Sequence, residues 1–281
     1  MSPGAETGRA PTLELSDGHA MPQVGFGVFQ IPPQDTPGAV AHALRVGYRA
    51  VDTAAAYGNE PQVGEAVRAS GPGPEAVFVT TKVWNSDHGR DRALRAFEKS
   101  LARLGLERID LYLIHWPAPA RDRYVETWQA LTELRGEGRA RSIGVSNFEI
   151  DHLERIIDAT GVVPEVNQVE LHPRFQQREL RRFHAEHGIL TEAWSPLAQG
   201  EVLKDPAVGE LASAHGRTPA QVVLRWHLQL GNAVIPKSVT STRIEENFDI
   251  FDFTLDDDAM RVLDGLDAGE RVGPDPVTFT G

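Results

Sequence analysis

The segment RAVDTAAAYGNE spans residues 49–60. A short apolar run rises to Asp52, small residues follow, and Tyr57 stands five residues later, just before Gly58. It reads as a strand ending on a carboxylate, then a loop carrying a phenol, then the start of a helix. Working outward, the same unit recurs along the chain: a short apolar run, a polar residue, and a longer amphipathic stretch. The runs expected as strands are VGFGVF (24–29), RAVDT (49–53), VFVTTK (77–82), IDLYLI (109–114), RSIGVS (141–146), EVNQVE (165–170), ILTEAW (189–194) and AVIPKS (233–238). Between them, RDRALRAFEKSLARLG (90–105), RYVETWQALTELRGEG (123–138) and PAQVVLRWHLQL (219–230) carry helical spacing. Gly105, Gly136, Gly188 and Gly231 stand where helices should stop.

Eight strands, each followed by a helix, with no linker or shift in composition, predict an α/β fold of one domain, a (β/α)8 TIM barrel over residues 12–281. Asp17-Gly18 marks an N-terminal β-hairpin ahead of it. Segment 200–216 reads as an insertion after the seventh strand, 255–281 as a C-terminal helix plus tail, and 1–11 as a flexible extension. A doubly wound sheet is the competing architecture, but GFGVFQ after the first strand is not a glycine-rich phosphate fingerprint.

The net charge of −12 opposes a general nucleic-acid or anionic-membrane binder, both of which need a basic face. With no cysteine, disulfides, thiolate metal sites and cysteine nucleophiles are excluded. No leader-like segment and no long apolar run is present, so a cytoplasmic monomer is the expectation.

In such a barrel the C-terminal strand ends share one mouth, where active sites lie. At those ends stand Asp52, Lys82, His115, Ser146, Asn147, Gln168, Trp194, Ser195, Lys237 and Ser238. An aspartate beside a lysine keeps both charged, and a lysine beside a tyrosine favours phenolate. At an effective dielectric of about 20, unit charges about 4 Å apart interact by roughly 4 kcal/mol. Burial of the phenol opposes this, and the expected net result is a Tyr57 pKa lowered toward neutrality, fit for a proton donor and acceptor. In this reading Asp52 supports Lys82, Lys82 tunes Tyr57, and His115 orients a carbonyl. Three other assignments compete. SNFE (146–149) also fits a capping box, which makes Ser146 a helix start. His172, His184 and His187 are expected to face solvent, and no metal site is assigned. A metal-dependent hydrolase barrel is disfavoured because the strand ends offer Lys, Asn, Gln and Ser.

VDTAAAYGNE, TTKVW, LIHWP, GVSNF, NQVELHP, WSPLAQG and IPKSVTSTRIEEN, in this order and spacing, resemble the aldo-keto reductase family, most of all its microbial 2,5-diketo-D-gluconate reductase-like branch. The resemblance runs from about residue 12 to about residue 270. It implies a (β/α)8 barrel, NADPH-dependent reduction of carbonyls with transfer of the 4-pro-R hydride, and a catalytic tetrad at Asp52, Tyr57, Lys82 and His115. On that view Ser146, Asn147 and Gln168 bind the cofactor carboxamide and Trp194 stacks on the nicotinamide. Ser195, Leu197, Gln199 and Gly200 follow the pyrophosphate. Lys237, Ser238, Val239, Thr240, Arg243, Glu246 and Asn247 form the far end, where two cations and a hydroxyl suit the 2′-phosphate of NADP. Phe29, Trp84, His115 and Trp116 are expected to line the pocket for a small-molecule carbonyl substrate, rimmed by the C-terminal tail. A nucleotide-binding regulatory or structural barrel with little turnover is the alternative.

Overall fold

The computed structural model describes residues 10–281, so residues 1–9 of the expected extension lie outside the described residues. Strands β1 (Thr12–Glu14) and β2 (Ala20–Pro22) pair antiparallel across the Asp17-Gly18 turn, where Gly18 takes φ 83°. A side chain is strained at that positive φ, and glycine is not. The hairpin lies across one end of the barrel: Leu15 and Met21 join Ala50, Phe78, Leu111, Leu113, Val166 and Ala233 in one buried cluster.

The eight parallel strands follow in the expected order: β3 (Phe26–Gly27), β4 (Ala50–Asp52), β5 (Phe78–Val83), β6 (Ile109–Ile114), β7 (Ala140–Ser146), β8 (Val166–Glu170), β9 (Leu190–Trp194) and β10 (Ala233–Val234). Each pairs with its sequence neighbour. The ring closes where Val24 bridges Val234, with Gly25 N donating to Val234 O at 2.8 Å and Val234 N to Gln23 O at 2.9 Å. Strands β3 and β10 are shorter than the sequence suggests. Pro236 has no N–H to extend the ladder, although its carbonyl still accepts from Gly27 N at 3.2 Å. A Cβ on Gly27 would sit 2.8 Å from Ile235 O, so this seam admits only glycine without movement.

Helices α1 (Thr36–Val46), α2 (Glu60–Arg68), α3 (Arg90–Leu104), α4 (Tyr124–Gly136), α5 (Ile150–Thr160) and α6 (Arg178–His187) follow β3 to β8 in turn. After β9 comes the expected insertion, which contains α7 (Pro206–His215), and then α8 (Pro219–Gln229). Helix α9 (Ser241–Phe248) follows β10, and α10 (Asp257–Asp264) precedes the tail. Gly105 and Gly188 are left-handed C-caps as expected. Gly136 instead ends α4 inside the helix, and the left-handed turn falls to Gly138 at φ 72°. Gly231 lies two residues past the end of α8, at φ 78°.

The period-two alternation of the strands sorts side chains into two populations. Outward residues such as Val51, Val79, Tyr112 and Ile143 pack under the helices, together with the fully buried Trp128 and Trp226. Inward residues are apolar toward the hairpin and polar toward the mouth. On β4 and β5, Ala50 and Phe78 give way to Asp52 and Lys82.

Candidate active site

Asp52 and Lys82 meet at the mouth as a buried ion pair. Lys82 Nζ donates to Asp52 Oδ1 at 2.6 Å and Oδ2 at 2.8 Å, and to Thr53 O at 3.0 Å, which uses all three ammonium hydrogens. Lys82 is fully enclosed. Burial alone would depress its pKa, but Asp52 and the Tyr57 phenol more than offset this and hold it above its ordinary value. Tyr57, in a short 3-10 turn after β4, is half-buried, with Lys82 Nζ 5.2 Å from its ring centroid. His115, immediately after β6, meets the Tyr57 ring edge-on, centroids 5.5 Å apart. All four tetrad residues are thus brought together.

The expected lowering of the Tyr57 pKa is corrected. Desolvation outweighs the attraction of Lys82, Asp52 adds opposing negative charge, and the phenol is pushed up to about 12. It is therefore firmly protonated at neutral pH. His115 is held well below its usual range, first by burial and then by Lys82 and His88, so its imidazole is neutral.

Asn147 ties four strand ends together from a left-handed backbone at φ 64°, a conformation asparagine tolerates. Its Nδ2 donates to His115 O at 2.9 Å and Ser146 Oγ at 3.0 Å, and its Oδ1 accepts from Trp194 Nε1 at 2.8 Å. Its backbone N reaches Gln168 O at 3.0 Å. Ser146 Oγ donates to Gln168 O at 2.7 Å, so it is not the cap of α5; Glu149 is, in a capping box with His152. Gln168 Nε2 donates to Asp52 Oδ2 at 2.8 Å and to Glu192 Oε2 at 2.7 Å. The side-chain hydrogens of Ser146, Asn147 and Gln168 are thus committed within the protein.

Trp194 is half-buried at the end of β9, its indole fixed by Asn147. The next loop is backbone-strained, with positive φ at Ser195 (46°), Ala198 (48°) and Gln199 (54°) and at Gly200 (95°). Leu197 packs on the core. Beyond β10, Lys237, Val239, Thr240 and Arg243 are exposed around the N-terminus of α9 and Glu246 on its last turn, while Ser238 and Asn247 are buried. Thr240 N donates to Ser238 Oγ at 3.1 Å.

A model of the Aldo/keto reductase family matches residues 23–268. The chain belongs to the aldo/keto reductase family. It is 57% identical over 270 residues to an aldo-keto reductase of Mycobacterium sp. (strain KMS), covering 96% of this chain and 98% of that one. It is 53% identical over 271 residues to methylglyoxal reductase DkgA of Escherichia coli (strain K12), covering 96% and 98%. Among solved structures, a mutant of Gox0644 in complex with NADPH superposes with a TM-score of 0.93 at 53% identity, covering 96% of this chain and 98% of that one.

In this aldo/keto reductase, aromatic rings frame the mouth. Phe29 is exposed and 5.0 Å from the Tyr57 centroid; Trp84 stands 5.0 Å from His115, and Trp116 6.4 Å from both His115 and Trp194. Phe279 of the tail packs on Trp116 at 4.4 Å and on Trp84 at 6.2 Å. The tail is moored by buried Glu170, whose carboxylate accepts from Val272 N at 2.5 Å and Gly273 N at 3.0 Å. A Cβ on Gly273 would fall 2.3 Å from the Trp194 ring, so the backbone can pass there only as glycine.

Three residues important to this arrangement were not singled out in the sequence: Phe279, Glu170 and Glu192. The signal for Phe279 is that it is the lone aromatic of the tail, and for Glu192 that it is an acid on the same face as Leu190 and Trp194. Two of the histidines expected in solvent are buried. His172 lies 3.1 Å from Glu170 Oε1, and His184 is held by Asn167 at 3.0 Å and Thr191 at 2.8 Å. His184 shares the inward face of α6 with Leu180, which puts it in the core. Among the described residues no cluster of His, Asp or Glu could hold a metal, and no helix is long and apolar enough to cross a membrane.

Proposed function

We propose that this chain reduces aldehyde or ketone carbonyls to alcohols with NADPH, acting on small aldehydes, dicarbonyls or keto-sugar acids. The observation that carries the reading is the enclosed Lys82–Asp52 pair beside Tyr57 and His115 at the barrel mouth. The surrounding residues fit the cofactor: Trp194 offers a half-exposed indole fixed by Asn147, and exposed Lys237 and Arg243 flank the N-terminus of α9, which favours a phosphate. NADPH, when bound, supplies hydride to the carbonyl carbon.

The protein handles the proton. Tyr57 gives its hydroxyl proton to the carbonyl oxygen as negative charge builds there. Lys82 stabilises the tyrosinate left behind, and Asp52 keeps Lys82 charged. His115, neutral, retains one N–H to orient the carbonyl oxygen. Phe29, Trp84 and Trp116 form the substrate wall, and residues 12–281 act as one domain in a cytoplasmic monomer. The relative named for methylglyoxal makes that dicarbonyl the first substrate to try. The test is NADPH consumption across aldehydes, dicarbonyls and keto-sugars. Tyr57→Phe is expected to lower turnover by at least about a hundredfold with NADPH affinity unchanged. Near-normal turnover in that variant removes the assignment.

A further inference from the structure

The hydrogen-bond chain at the barrel mouth continues past the tetrad. Gln168 has two amide hydrogens, and one goes to Asp52 and the other to Glu192. Asp52 has its own cation in Lys82, but no cation bonds Glu192 among the described residues, and Glu192 is 1% exposed. Two carboxyl groups therefore share one amide, and the ammonium of Lys82 bonds only one of them, Asp52.

The proposed chemistry leaves Glu192 without a task, yet its cost is large, since an unpaired buried carboxylate is strongly disfavoured. On the reductase reading above, we propose that Glu192 is a positioning residue, fixing Gln168 against Asp52 and adjusting by its own protonation how readily Tyr57 releases its proton. The groups acting on it are named by the strands around it. Asp52 on β4 raises its pKa, Lys82 on β5 lowers it, and Gln168 on β8 donates to it. The neighbouring β10 carries only Ala233 and Val234. Burial and the Asp52 charge together move Glu192 up to about 8, so it is neutral at neutral pH and ionises just above. Once ionised, it raises the proton affinity of both Lys82 and Tyr57. A phenol that holds its proton more tightly is a weaker general acid.

Carbonyl reduction, which spends the Tyr57 proton, must then slow as Glu192 ionises. Between about pH 6 and about pH 10, kcat for carbonyl reduction is expected to fall roughly three- to tenfold through one ionisation. Glu192→Gln keeps the shape and the acceptor for Gln168 but cannot ionise; it should remove this step from the reduction profile and leave KM near its original value. Loss of a purely structural group would lower kcat at every pH without removing one ionisation from the profile. The same pH step persisting in Glu192→Gln overturns the positioning role while leaving the reductase intact. Failure of the native protein to reduce any carbonyl overturns the reductase reading, and the positioning role with it. If Glu192→Gln does not fold, infrared titration of the native protein decides. Loss of a buried neutral-carboxyl band over this pH range supports the proposal, and no such band overturns it.

Discussion

Lys82 Nζ lies within 2.8 Å of both carboxylate oxygens of Asp52, and neither residue has appreciable access to water. Removing one member strands the other. Asp52→Asn should cost about 3–5 kcal/mol of stability, because an ammonium is left buried without its counter-ion. It should also lower kcat by about a hundredfold or more, since a neutralised Lys82 no longer stabilises tyrosinate. Urea unfolding and steady-state kinetics on the same preparation check both parts. Full stability with full turnover would show that the pair does neither job.

Asn147 links His115, Ser146 and Trp194 from a left-handed backbone. Asn147→Ala loses all three side-chain bonds and places alanine where it is strained. NADPH affinity should fall by about tenfold or more, as the Trp194 indole loses its anchor. Quenching of tryptophan fluorescence by NADPH measures the change, and an unaltered Kd would show that Trp194 needs no such support.

Lys237 and Arg243 stand exposed at the α9 N-terminus. Removing Arg243 as alanine should weaken NADPH binding by about ten- to a hundredfold, the value of a charge-assisted hydrogen bond, and leave NADH binding nearly unchanged. Parallel titrations with the two cofactors test this; equal losses for both would place Arg243 away from the 2′-phosphate.

Three buried histidines predict acid lability. Burial lowers His88 to about 4, and His184 and His227 each to about 3. An unfolded histidine titrates at about 6.5, so below that pH the unfolded chain binds protons the folded chain does not. Stability is therefore complete above about pH 6.5 and falls as the pH drops toward 4. Each group contributes at most about 1.4 kcal/mol per pH unit, so the three give roughly 4 kcal/mol per unit at the limit. Urea midpoints at about pH 7 and about pH 5 measure it, and a flat profile would mean that these imidazoles reach solvent.

Much of this was legible in the strand ends. Each polar residue that closes an apolar run, from Asp52 to Trp194, arrives at one mouth because parallel strands of one barrel share a direction. The sign of the Tyr57 shift was not legible. A lysine nearby can be inferred from spacing, but the water excluded from a half-buried phenol depends on every loop above it. Glu192 was hidden by its setting, since an acid inside ILTEAW reads as a surface residue until the strand's facing is known. His184 was missed for a similar reason. Its place on the buried side of α6 is plain only once Leu180 and Phe183 are seen to face the sheet.

The seam between Val24 and Val234 has a consequence for biosynthesis. The first barrel strand emerges from the ribosome early, yet its partner on that side is made only after more than two hundred further residues. Until then β3 has one open edge and the tetrad one missing wall. Closure of the ring is a long-range contact of the kind that folds late. A nascent chain stalled before Ala233 is therefore expected to hold an unfinished sheet with an edge exposed, a natural target for chaperones.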